Sequence, residues 1–288
     1  MTTPPALALH EAHLRRLAEN ALLEDRAYDD ITTAALVPED QQGRAVLLAK
    51  AEGVVAGLPV ARAVFAALDP SLRFTPLVEE GARVGPGTRL ALLEGAVAPI
   101  LRGERVALNY LQRLSGIATL TARYLERLQG TGVRLRDTRK TTPGLRTLEK
   151  YAVRVGGGDN HRLHLADGVL VKDNHLAALR VRGLGIADAV RLAREANPGV
   201  PVQVEVTTVQ EAEEALAAGA DSLLLDNMPP QAMRQVVALA KGRALLEASG
   251  GITLDNLQQV AETGVDCIAV GAITHSAPAL DISLELEL

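Results

Sequence analysis

The chain has 288 residues, 48% of them hydrophobic and 23% charged, which suits one large α/β domain or two smaller ones with a real core. A net charge of −5, a pI near 5.7, 2% aromatic residues and dispersed arginines argue against a nucleic-acid binder. No apolar run reaches membrane-spanning length, and the N-terminus lacks the pattern of a secretion signal, so the expected location is cytoplasmic, with no membrane partner.

In chain order, residues 6 to 26 show the apolar spacing of an amphipathic helix, with Leu7, Leu14, Leu17 and Leu22 among charges. From 43 to 94 short strand-like runs alternate with glycines around a helical stretch near 59 to 68. The run "VEEGARVGPGTRLALLEG" resembles the hammerhead strands of lipoyl and biotin carriers. Such carriers need a lysine at an exposed hairpin tip, and none is present, so the segment is scaffold. Residues 100 to 128 follow as a long helical pattern, with a break expected near Gly116.

After about residue 130 the pattern becomes repetitive. The apolar runs "VRLRDT", "GVLVKD", "VQVEV", "SLLLD", "ALLEAS" and "CIAVGA" each read as a buried strand, and helical patterns at 208–218, 229–240 and 253–263 separate the later ones. Glu205, Asp226, Ser249 and Gly271 end successive runs, 21, 23 and 22 residues apart, one βα unit each. Polar or glycine residues at six strand ends point to a parallel α/β barrel of fewer than eight strands, whose active face lies at those ends.

Several of these ends carry chemistry. "RDTRKTTPGLR" sets Arg136, Arg139, Lys140 and Arg146 against one acid, Asp137, so either water screens the charges or an anion sits among them. Only five of thirty basic residues are lysine, which makes Lys172 after "GVLV" informative. It is a strand-end lysine paired to Asp173, or a cation that holds a carboxylate or phosphate. Glu205 and Asp226 are caps and ion-pair partners, or a carboxylate pair for ribose or Mg²⁺. "ASGGIT" and "VGAIT" suit phosphate through close backbone approach and a following helix N-terminus. The triple glycine before "DNHR" is a weak signal, and His164 and His175 read as hydrogen-bonded rather than metal-ligating. Cys267, the single cysteine, excludes a disulfide framework and a multi-cysteine zinc site. Together the cations, the carboxylate pair and the glycine loops across one barrel mouth imply polyanionic substrates.

"ERVALNYLQRLSGIAT", "DTRKTTPGLR", "EKYAVRVGGGDNHRLHLADGVLVKDNH", "VEV", "LLLDN", "EASGGI" and "VGAITHS" together resemble the quinolinate phosphoribosyltransferase family, in the same order from about residue 20 to 280. The resemblance implies an incomplete parallel α/β barrel with an N-terminal α/β sandwich, divided as residues 1–112, 113–274 and a tail, 275–288, packing back on the first domain. It implies the substrates quinolinate and phosphoribosyl pyrophosphate, the cofactor Mg²⁺, and a homodimer with shared active sites. In residues of this chain, Arg139, His161, Arg162 and Lys172 would hold the quinolinate carboxylates, with Arg105 arriving from the other subunit and Thr138 among the substrate-binding residues. Lys140 would meet the pyrophosphate, Glu205 and Asp226 the ribose and Mg²⁺, and Ser249, Gly250 and Gly251 with Val270, Gly271 and Ala272 the 5′-phosphate. Lys140, Lys172, Glu205 and Asp226 would form the catalytic set.

One departure falls in "LEDRAYDDITT", where Arg26 and Tyr28 stand in place of the family's glycines. Two alternatives remain at this level: a paralogue that uses another acceptor base, and a non-enzymatic carrier or regulatory domain.

Overall fold

The computed structural model describes residues 9–287. The described residues form twelve strands: β1 Gln42–Ala49, β2 Gly53–Val54, β3 Arg73–Pro76, β4 Arg83–Val84, β5 Arg89–Ala96, β6 Arg134–Arg136, β7 Val169–Val171, β8 Val202–Val206, β9 Ser222–Asp226, β10 Leu245–Ser249, β11 Cys267–Ala269 and β12 Ile282–Glu287. The chain divides into two compact units. One comprises Met1–Ala122, Thr142–Gly157 and Ser276–Leu288, the other Arg123–Thr141 and Gly158–His275.

In the first unit the N-terminal helix spans Glu11–Glu24 and buries Leu14, Ala18 and Leu22, one residue per turn on the face predicted. Residues 6 to 8 of the predicted helix lie outside the described residues. The helix ends in a turn where Arg26 adopts φ 53°, a left-handed conformation that costs a side chain about 1–2 kcal/mol and costs glycine little. The guanidinium of Arg26 reaches Asp29 at 3.0 Å across the following 3₁₀ turn, Ala27–Asp29. Only one of the two departures is therefore strained, because Tyr28 keeps an ordinary negative φ. Asp30 then caps the helix Ile31–Leu36 by accepting from the backbone N–H groups of Thr32 and Thr33, and from the Thr33 hydroxyl.

The strands β12, β1, β5 and β3 form one antiparallel sheet in that order, and β2 pairs with β4. Leu22, Leu47, Phe65, Leu93, Ile100 and Leu111 share one buried cluster that joins this sheet to the helices. Each such side chain contributes about 1.5–3 kcal/mol by leaving water. The long helix, Val97–Arg127, runs without the break expected at Gly116. Glycine is there for another reason: a Cβ would overlap the carbonyl oxygen of Pro278. The closing segment is bound to this helix, with Leu280 N–H donating to the Gln112 carbonyl at 3.0 Å and the Gln112 amide to that of Ile282 at 2.7 Å.

The second unit holds a six-stranded parallel sheet in the order β6, β11, β10, β9, β8, β7. Apart from β6, the strands follow chain order, and β6 joins beyond β11, as it would in a closed barrel whose β6–β7 pairing is missing. The order has no reversal of the kind that defines a doubly wound sheet. Beside β6, Asp159 forms an isolated parallel bridge to Arg136, so the segment after the triple glycine lies along that free edge. The architecture is the incomplete barrel expected.

Register assigns the faces. Gln203 aligns with Leu170 and Ser222, Glu205 with Leu224, Leu224 with Glu247, and Asp226 with Ser249. Partnered residues in a parallel sheet share a face, so Gln203, Glu205, Asp226, Glu247 and Ser249 all lie on one side. The alternate residues Val202, Val204, Val206, Leu223, Leu225, Leu246 and Ala248 are apolar and buried on the other. The helix predicted at 253–263 contracts to Leu257–Ala261. Asn256 holds the preceding stretch as a turn, accepting from Thr253 N–H and donating to the Gly251 carbonyl, and these bonds compete with the helix.

Candidate active site

At the strand ends of the second unit, Arg139, Arg162 and Lys172 line one pocket of about 450 Å³. Arg139 follows β6, Arg162 lies on the loop along the free edge, and Lys172 directly follows β7. Three segments distant in sequence thus bring three cations together. The Nε atoms of Arg139 and Arg162 are buried without a hydrogen-bond acceptor among the described residues. Burial, followed by the neighbouring Arg139 charge, pushes the Arg162 guanidinium below its ordinary pKa. A half-buried pair of like charges, each with a buried and unused Nε donor, is a receptor for an anion.

Lys172 extends toward Glu205, with Nζ 3.6 Å from the carboxylate, rather than toward Asp173. Asp173 instead accepts from Asn174 N–H at 2.6 Å. Asp226 accepts from the Asn227 side-chain amide at 2.7 Å. Asn227 has φ 53°, and its own N–H donates to the Ser249 carbonyl at 2.8 Å. Its amide lies against Gly250, where any Cβ would collide with it. Gly250 and Gly251 have φ of 90° and 60°, so conformation favours glycine at both, and space requires it at Gly250.

Lys140 lies beside the other glycine turn. Its side-chain Cδ is 3.0 Å from where a Cβ on Gly271 would stand, and its carbonyl accepts from the Thr274 hydroxyl at 2.8 Å. Thr138 accepts from Lys140 N–H at 3.0 Å, so this hydroxyl shapes the basic loop. The helices after the two glycine turns have five and four residues, and loop backbone predominates there rather than a long helix N-terminus. His175 accepts from Lys172 N–H at 2.9 Å, and His164 reaches Asp167 at 2.9 Å. Cys267 is buried, which pushes its thiol up to about 11 and leaves it unreactive at neutral pH.

Arg105 is not among the residues lining this pocket. It lines a different one of about 560 Å³ in the first unit, with Asp25, Arg26, Asp29, Ile31 and Arg102. Its side chain is 61% exposed, and the nearest carboxylate, Glu104, lies at 4.0 Å.

The structure adds roles that the sequence did not assign. Asp137 is fully buried and accepts from the Asn160 amide at 2.6 Å and from His161 N–H at 2.8 Å, which fixes the loop carrying Arg162. Glu247 is fully buried and accepts from Arg136 at 2.8 Å. Burial disfavours the Arg136 charge, and its charge attraction to Glu247 is the largest of the effects that more than restore it. Gln203 bridges Glu247 and His161. The available signal was a polar residue in mid-strand, between apolar neighbours in "VQVEV" and "LLEAS".

Residues 30–115 match the pattern described as quinolinate phosphoribosyl transferase, N-terminal domain, and residues 117–285 match the corresponding C-terminal domain. The chain belongs to the quinolinate phosphoribosyltransferase family. It is 43% identical over 281 residues to the carboxylating nicotinate-nucleotide pyrophosphorylase of Mycobacterium leprae, covering 94% of this chain and 96% of the relative. A mitochondrial, decarboxylating quinolinate phosphoribosyltransferase of Nicotiana glauca is 37% identical over 300 residues, covering 99% and 84%. Among solved structures, the nicotinate-nucleotide pyrophosphorylase of Francisella tularensis superposes with a TM-score of 0.92 at 38% identity, over 99% of this chain and all of that one. As a member of this family the chain is an enzyme built for a small-molecule substrate, and the carrier alternative is set aside.

Proposed function

We propose that this chain transfers the phosphoribosyl group of phosphoribosyl pyrophosphate to the ring nitrogen of quinolinate. The products are nicotinate mononucleotide, pyrophosphate and CO₂, in the de novo synthesis of NAD. The observation that carries this reading is the convergence of Arg139, Arg162 and Lys172 on one pocket, with two buried guanidinium nitrogens lacking an acceptor. A planar dicarboxylate satisfies such a cluster, because each carboxylate accepts the paired donors of a guanidinium.

The chemistry assigns the remaining residues. With its carboxylates held, the acid presents its ring nitrogen to the anomeric carbon, and the carbon–oxygen bond to pyrophosphate breaks through an oxocarbenium-like state. Glu205 and Asp226 stabilise positive charge developing on the sugar, and Lys140 stabilises negative charge on the leaving group. N-ribosylation makes the ring cationic. The bond from C2 to its carboxylate then breaks, releasing CO₂ and leaving the electron pair on C2 beside the cationic nitrogen, where it takes up a proton from solvent to give the product. The loops Ser249–Gly251 and Val270–Ala272 meet the 5′-phosphate.

Glu205 and Asp226 fit Mg²⁺ by their donor chemistry. They are hard carboxylates on adjacent strands, and among the described residues no group of three or more potential ligands could form a closed metal cage. Such a pair suits an ion that completes its shell with phosphate and water. When bound, Mg²⁺ supplies charge neutralisation at the pyrophosphate.

The reading places the enzyme in the cytoplasm as a homodimer, with Arg105 entering the other subunit's site. Leu23, Tyr28, Ile31 and Leu36 support it, since they are large apolar side chains left exposed on one segment, and Ile31 shares the pocket of Arg105. Among the described residues no helix is long and apolar enough to cross a membrane.

The test is incubation of the protein with Mg²⁺, phosphoribosyl pyrophosphate and carboxyl-labelled quinolinate, with release of labelled CO₂ as the expected result. Nicotinate, with one carboxylate, should be poorer by at least ~100-fold in kcat/KM, because it leaves clamp cations and their buried Nε donors unpaired. Comparable turnover of the two acids would remove the dicarboxylate reading.

A further inference from the structure

We propose that Gln203 and Glu247 are positioning residues of the carboxylate clamp, acting through a single tautomer of His161 on Arg162. The inference rests on the proposed quinolinate site and assigns its support. It starts from Glu247, which is fully buried on the inner face of β10 and, as a carboxylate, can only accept hydrogen bonds. One of its oxygens accepts from Arg136 at 2.8 Å and from the Gln203 amide nitrogen at 3.3 Å. An acceptor at that position fixes which end of the Gln203 amide faces it. The amide oxygen must therefore point the other way, toward His161, whose Nε2 lies 3.0 Å from it. An amide oxygen can only accept, so Nε2 carries the proton.

The opposite side of the ring gives the same answer independently. Arg162 N–H donates to His161 Nδ1 at 2.7 Å, and a nitrogen that accepts there carries no proton. Two constraints from different strands and a loop thus select one neutral tautomer, protonated at Nε2. Both ring nitrogens are engaged within the protein. His161 is accordingly a brace for the clamp, and its ring is not a ligand to the substrate. The brace has a clear target. Arg162 is held through its backbone by His161 and through Nη1 by the Gly168 carbonyl at 2.8 Å, and its side chain lines the pocket. Holding Arg162 at both ends pre-organises its remaining donors, which lowers the ordering cost of binding an acid.

Two measurements test the brace. Nitrogen-15 NMR of the histidine-labelled protein, with His161 identified by the signal lost in His161→Asn, should show Nε2 protonated and Nδ1 bare. A proton on Nδ1 would overturn the proposal whatever the enzyme's activity. Kinetics of Gln203→Met, which keeps the length of the side chain and removes both bonds, should show a KM for quinolinate raised ~10-fold, the KM for phosphoribosyl pyrophosphate within about twofold, and a mixed His161 tautomer. Equal changes in both KM values, or an unchanged quinolinate KM in a folded variant, would show Gln203 to be mere packing. Should Gln203→Met fail to fold, Glu247→Gln, a neutral isostere that releases the amide to flip, carries the same expectations. Should the wild type release no CO₂ from quinolinate, the functional reading fails, and the tautomer measurement still decides the brace.

Discussion

Gly271 shows how much a single missing methyl group controls. A Cβ there would stand 3.0 Å from Lys140 Cδ and 3.2 Å from the His275 ring, close enough that both must give by tenths of an ångström. Gly271 lacks the positive φ seen at Gly250 and Gly251, so alanine brings crowding without backbone strain. Gly271→Ala should therefore leave thermal stability nearly unchanged. It should raise the KM for phosphoribosyl pyrophosphate several-fold by moving Lys140, a shift of about 1 kcal/mol. Steady-state kinetics beside a melting curve checks this. A large loss of Tm with a normal KM would assign the glycine to folding alone.

At the scale of elements, the short helix Ile31–Leu36 depends on its cap. Six residues form too few internal bonds to offset nucleation, so the bonds from Thr32 and Thr33 to Asp30 count heavily. This explains the Asp and the second Thr of the "DITT" run, whose side chains meet in one cap, while Thr32 takes part through its backbone N–H. Replacement by alanine should cost about 1 kcal/mol at neutral pH, measured by urea denaturation. The Thr33 hydroxyl, then its N–H, holds the Asp30 carboxyl below the usual aspartate range. A depressed folded value means that the cap's charge-dependent stability is present above the ordinary aspartate pKa and is lost as pH falls through the folded value. The gap between wild type and Asp30→Ala should therefore narrow below about pH 4. A gap constant down to pH 2 would mean that the carboxylate charge adds nothing to the cap.

At the scale of the whole molecule, the position of Arg105 sets the prediction. Its pocket lies in the first unit, while Arg139, Arg162 and Lys172 line one in the second, and the shared-site reading joins them through a two-fold dimer. Arg105→Ala and Lys172→Met homodimers should each be nearly inactive. Unfolded and refolded together, they assemble at random into about half mixed dimers, each with one doubly defective site and one intact site. About a quarter of the wild-type site activity should return. If each Arg105 served its own subunit, every site would keep one defect, and no activity would return although mixed dimers had formed.

Much of this was legible along the chain. Six apolar runs at βα spacing gave the parallel sheet, because strand burial and helix amphipathicity are periodic properties of local sequence. The same periodicity placed Lys172, Glu205, Asp226 and Ser249 at strand ends, and the cation-rich loop read as an anion site. Other features depend on residues far apart in the chain. Gly116 looks like a helix breaker until Pro278 is known to pass against it. The 253–263 pattern reads as a full helix until Asn256 closes a turn across it. Nothing local to His161 shows that Gln203, Glu247 and Arg162 lie around its ring. Periodicity shows which face of a strand is buried, and it is silent on which atoms meet there. Those partners were decided by the sheet, which sets β6 beside β11 more than a hundred residues later and so brings Arg136 to Glu247.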